Sequence, residues 1–79
     1  MANLFKFEYT FQPKTEEKPL KTTFFINLES IQYIGDLMNE QTQQLVDHPC
    51  TIILLEGGNQ VIVYLKREDV IAKLSGPAA

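Results

Sequence analysis

Cys50-Thr51-Ile52-Ile53-Leu54-Leu55 and Gln60-Val61-Ile62-Val63-Tyr64-Leu65 flank Glu56-Gly57-Gly58-Asn59. Two apolar runs around a paired-glycine turn spell a β-hairpin, because glycine takes up positive φ without steric cost. Both arms are apolar on both faces, so the hairpin is expected at the centre of a sheet, covered above and below. Lys66 to Leu74 follows as a helix. Val70, Ile71 and Leu74 make its apolar stripe, and Glu68 and Asp69 suit a first turn, where carboxylates meet the positive end of the helix dipole. Gly76-Pro77 is a stop signal.

Upstream, Phe5, Phe7, Tyr9 and Phe11 alternate with Lys6, Glu8 and Thr10, a period of two that predicts a strand with one aromatic face. Gln12-Pro13 ends it, since proline donates nothing to a ladder. Residues Pro13 to Lys21 are polar and read as an exposed connection. A second strand is expected over Thr22 to Leu28, with Phe24, Ile26 and Leu28 facing one way. The next stretch has two readings. Ile31 and Tyr33 alternate as in a strand, whereas Leu28, Ile31 and Ile34 fit a helical turn. The preferred reading is a turn at Leu28–Ser30 and a short strand to Gly35. Asp36 to Asp47, with Asp36 as cap and Leu37, Met38, Gln41, Leu45 and Val46 in a loose helical pattern, is a short helix or an extended loop. His48-Pro49 closes it.

The order therefore predicts an α+β fold. It is a mostly antiparallel sheet of four to five strands with a C-terminal helix packed on one face and a short helix or loop at 36–47. At 79 residues the chain is one domain, taken as 1–76 with 77–79 a short tail. With 44% hydrophobic and 22% charged residues, it is too apolar for a disordered chain. A net charge of −3 argues against nucleic-acid or anionic-membrane partners, which need a cationic surface. The lone Cys50 excludes an internal disulfide, no apolar run reaches the ~20 residues of a membrane helix, and Met1 to Lys6 lacks signal-peptide order. A cytoplasmic protein is the expectation.

One short helix does not cover a five-stranded sheet. Either residues 36–47 fold back over the second face or a second copy of the chain docks there. The latter is preferred, so the expected partner is a homodimer mate or one other protein. The candidate interface is Phe5, Phe7, Tyr9, Phe11, Ile53, Leu55, Ile62 and Tyr64.

Chemical motifs are sparse. His48 and Cys50 share a strand face, as a thiolate–imidazole pair requires, but no third group is selected by spacing, and a small buried cysteine beside a loop histidine is the favoured reading. One His and one Cys fall short of a metal site. Gly57-Gly58 leads into a strand, not the helix that a phosphate-cradling loop precedes. No catalytic, cofactor-binding or metal residue is assigned, and an enzyme is not expected. Lys66, Arg67 and Lys73 are the candidate contacts for a nucleic-acid reading, with the aromatic row as a stacking platform.

Ile26-Asn27-Leu28-Glu29-Ser30-Ile31-Gln32-Tyr33-Ile34, Thr51-Ile52-Ile53-Leu54, Gly57-Gly58, Val61-Ile62-Val63 and Glu68 to Leu74 together resemble the small flagellar FlbD (swarming-motility SwrD) family. That plan is a strand, an I-x-x-I stretch, a hairpin and a terminal helix. In outline the order is also similar to LytTR-type DNA-binding domains. The resemblance implies a fold and names no function. The expected function is a non-enzymatic protein–protein interaction module, a small adaptor, regulator or accessory subunit. The alternatives are a nucleic-acid-binding regulatory domain and a small-molecule or lipid carrier whose ligand lies between sheet and helix.

Overall fold

The structure, a computed structural model, describes residues 4–75. The Gly76-Pro77 stop signal and the expected tail at 77–79 lie outside the described residues. Strand β1 (Leu4–Phe11) pairs antiparallel with β2 (Leu20–Asn27) along its whole length, from Leu4 opposite Asn27 to Phe11 opposite Leu20. Asn27 then breaks the strand. Its side-chain oxygen accepts a 3.0 Å hydrogen bond from the Glu29 amide, capping a single 3-10 turn at Leu28–Ser30. Strand β3 (Ile31–Leu37) follows, then helix α1 (Glu40–Gln43), strands β4 (Cys50–Leu55) and β5 (Gln60–Val63), and helix α2 (Arg67–Leu74).

The five strands do not join in one sheet. They form a two-stranded ribbon, β1-β2, and a separate three-stranded antiparallel sheet in the order β3-β4-β5. The aromatic row of β1 explains the difference. Added edge to edge, the ribbon would leave Phe5, Phe7, Tyr9 and Phe11 in need of another cover. Folded over the sheet, the same row is buried against Ile53 of β4 and Val63 of β5, and both apolar surfaces leave water together. Phe7, Tyr9, Ile26, Ile53, Val63 and Val70 form one buried cluster. It draws on the ribbon, the sheet and α2, so a single core unites all the layers. Phe7 stacks on Phe24 at 4.9 Å, and Phe11 stacks on Tyr64 at 4.9 Å, the second pair crossing between the two layers.

Only β4 holds the central position expected for the hairpin; β5 is an edge. The turn between them is as expected, with Gly57 and Gly58 at φ of 83° and 84° and the Leu55 amide donating to the Asn59 carbonyl at 2.8 Å. Strand β3 carries a bulge between Ile31 and Tyr33, so that Ile31 lies opposite Leu55 and Tyr33 opposite Leu54. The expected strand alternation of Ile31 and Tyr33 is thereby broken: the two fall on opposite faces. Asp36 caps no helix, because it is paired in the ladder opposite Thr51. Asn39 does so instead. Its side chain accepts from the Thr42 amide at 2.9 Å and its own amide donates to Thr42 Oγ1 at 3.2 Å. The β1–β2 connection clamps this segment. The Lys14 amide donates to the Leu45 carbonyl at 2.7 Å, and Lys14 Nζ reaches the Gln43 carbonyl at 2.8 Å and Asp47 at 3.2 Å.

Candidate interaction surface

The register assigns every residue of the sheet to a face. Ile34, Ile53 and Val61 lie abreast and turn toward the ribbon and α2. On the other face, Tyr33 lies beside Leu54, Gly35 beside Ile52 and Ile62, and Leu37 beside Cys50. The connection at 38–49 covers one end of that outer face. Cys50 is fully buried there, next to the Thr42 hydroxyl, and Thr42 and Val46 are buried with it. The rest stays open. Tyr33 is 56% exposed and Ile62 39%, while Ile52 and Leu54 are half-buried between them. Met38, at 62%, extends the surface beyond the end of β3. Apolar residues scattered singly on a surface are ordinary, whereas these lie side by side across β3, β4 and β5.

Gly35 shapes this face. A Cβ on it would come within 2.6 Å of the Tyr33 ring, so the ring lies across the strand where a side chain would otherwise stand. The result is a flat apolar surface with an aromatic at its β3 edge and Ile62 at its β5 edge.

The expected interface residues lie mostly on the inner side. Phe7, Tyr9 and Ile53 are buried core, and Phe5, Phe11, Leu55 and Tyr64 pack against that core. Much of their apolar surface is covered within the chain by the ribbon folding over the sheet. Of the eight, only Ile62 stands on the open face. Tyr33, Leu54, Ile52 and Met38 were not among the expected residues. The first depends on the bulge at Gln32, for which the local sequence carries no signal. Ile52 and Leu54 had a signal, the apolar character of β4 on both sides, but nothing local distinguished its covered side from its open one.

The side chains of Cys50 and His48 each approach a backbone carbonyl, and among the described residues no hydrogen bond joins the thiol to the imidazole. His48 Nδ1 lies 2.9 Å from the Pro49 carbonyl, and Cys50 Sγ approaches the His48 carbonyl at 4.0 Å. Burial pushes the Cys50 thiol up, against the direction a nucleophile needs. Among the described residues no three His, Cys, Asp or Glu side chains cluster as metal ligands. Lys66 and Arg67 start α2 and Lys73 lies near its other end, roughly 10 Å along the axis. Glu68 and Asp69 stand between them, and Arg67 Nε sits 3.8 Å from Asp36. Lys73 is thus separated from the other two by roughly two turns of helix.

A groove of about 440 Å³ runs between β1 and α2, lined by Phe5, Lys6, Phe7, Glu8, Ala72 and Lys73. Glu8 at its rim pairs with Lys21 at 3.1 Å and Lys6 at 3.8 Å. Lys21, as hydrogen-bond donor and then as charge, with Lys6 as a further charge, holds that carboxyl below its ordinary value. No helix among the described residues is long and apolar enough to cross a membrane. The chain matches no family model, no curated protein and no solved structure.

Proposed function

We propose that this chain is a non-enzymatic protein–protein interaction module, a small adaptor, regulator or accessory subunit, that works as a homodimer. The observation that carries this reading is the open face of β3-β4-β5, where Tyr33 and Ile62 flank the half-buried Ile52 and Leu54. A two-fold dimer sets one such face against its copy, and a flat, apolar, uncharged surface is self-complementary without any matching of charges. A domain of this size also gains from association, because its own core supplies little stability. The lone thiol of Cys50, without a disulfide partner, fits a reducing cytoplasmic compartment.

Light scattering behind size-exclusion chromatography, over a tenfold concentration range, tests the dimer. The expected mass is near 18 kDa, twice the 9.0 kDa chain. Ile62→Lys, at an exposed edge position, is expected to shift the equilibrium to the monomer while leaving the circular-dichroism spectrum unchanged. A constant mass of 9.0 kDa at every concentration overturns the homodimer.

A further inference from the structure

The groove between β1 and α2 lies on the opposite side of the sheet from the open face and is independent of it. Its 440 Å³ falls in the roughly 300–1,000 Å³ range of clefts that take small ligands. The apolar part of the lining is the half-buried Phe5, whose ring lies 6.4 Å from that of the fully buried Phe7, and α2 contributes only the Ala72 methyl where a larger side chain would close the gap. Lys6 and Lys73 stand at the rim on its two walls. Glu8 is the one acidic residue lining the groove, and its nearer partner is Lys21, outside the groove. Among the described residues Lys73 makes no ion pair. The groove lining thus carries two ammonium groups against one carboxylate, a local cationic excess on a chain whose net charge is −3.

We infer that this groove binds a medium-chain carboxylate, its alkyl chain against Phe5 and the Ala72 methyl and its head group between Lys6 and Lys73. Apolar contact supplies the affinity, and the two ammonium groups select the sign of the head group. The groove is open along one side, so binding is weak and its exchange fast.

The test titrates the full chain, labelled with ¹⁵N, with dodecanoate below its micelle threshold and follows backbone amide shifts. Shifts are expected at Phe5 to Glu8 and at Ala72 and Lys73. Acetate, which has the head without the tail, is expected to cause none. Dodecyltrimethylammonium, which has the tail with the opposite charge, is expected to bind several-fold more weakly. Lys73→Glu weakens dodecanoate by about 1.4- to fivefold, the range for one exposed ion pair. Ala72→Trp, at an exposed helix position, fills the groove and abolishes the shifts while the rest of the spectrum stays that of the folded protein. The inference is overturned by any of four results: no shifts, shifts confined to Tyr33, Ile52, Leu54 and Ile62, equal affinity for the cationic amphiphile, or binding that survives Ala72→Trp in a folded variant.

Discussion

Gln32 is the residue on which the outer face turns. As the extra residue of the β3 bulge it lets Ile31 and Ile34, three apart, both point into the core, and it sends Tyr33 outward. A spacing of three that reads as a helical turn is here produced by a strand with one residue inserted. Tyr9 does comparable work between the layers. Its hydroxyl accepts a 3.2 Å hydrogen bond from the Tyr64 amide, at the point where β5 has ended and that amide needs an acceptor. Burial raises the Tyr9 pKa, because the phenolate is poorly solvated there, while the hydrogen bond from Tyr64 opposes the rise. The neutral hydroxyl is therefore favoured by folding. Its contribution is intact below the unfolded value of about 10 and is lost as pH rises through the folded one. Tyr9→Phe is expected to cost about 1–3 kcal/mol at neutral pH, since it leaves the Tyr64 amide unpaired. It also flattens the alkaline decline in stability, leaving the part that Cys50 contributes with the same sign. Urea unfolding of both proteins between pH 7 and 11 checks this, and equal slopes at the alkaline end would refute the role assigned to Tyr9.

Among the elements, the β4–β5 hairpin and the β1–β2 ribbon depend on different devices. The hairpin relies on its turn, where Gly57 and Gly58 both occupy the left-handed region. Gly57→Ala introduces a Cβ at φ 83° and is expected to cost about 1–2 kcal/mol. Calorimetry would record this as a fall in melting temperature of roughly 4–8 °C for each kcal/mol. Space is not the cause, because the added Cβ would have only the Asn59 amide nitrogen near it, at an ordinary 3.7 Å. An unchanged melting temperature would mean that the turn relaxes to another type. The ribbon needs no glycine, since its long connection at 12–19 closes it and Lys14 anchors that connection to the α1 segment. Helix α1 has only four residues and owes its position to the Asn39–Thr42 capping box and to this anchor, not to an apolar stripe.

For the molecule as a whole, the decisive arrangement is a ribbon and a helix together on one side of a sheet whose other side is open. The ribbon is correspondingly two-faced. Phe7 is 1% exposed and Phe25, on the outward side of β2, is 62% exposed. Phe7→Ala is expected to cost about 3–5 kcal/mol. At 0.05–0.15 kcal/mol per residue a domain of this size has only about 4–12 kcal/mol in total, so the loss removes from about a quarter to all of it. Phe25→Ala is expected to stay within about 0.5 kcal/mol. Denaturant midpoints for the two variants measure the contrast directly. Similar losses at both positions would mean that the ribbon does not lie over the sheet with the face described.

The strands, the C-terminal helix, the glycine turn and the turn after Asn27 were legible in the amino-acid order, whereas 36–47 read equally as a short helix or a loop and its cap at Asn39 was not foreseen. Each is governed by contacts within a few residues: alternation, capping, proline exclusion and positive φ. The α+β class followed from them. Which surface would be covered was not legible. Phe5, Phe7, Tyr9 and Phe11 announced an apolar face, but whether it would extend a sheet or close over one depended on Ile53 and Val63, about fifty residues away, and burying both surfaces together removes the most apolar area from water. In the same way the groove beside Ala72 exists only because α2 lies next to β1. The open face of Tyr33, Ile52, Leu54 and Ile62 is what remains once the ribbon and α2 have taken the other side. Local chemistry determined the pieces, and the competition among apolar surfaces for a shared interior, a property of the whole chain, decided how they were put together.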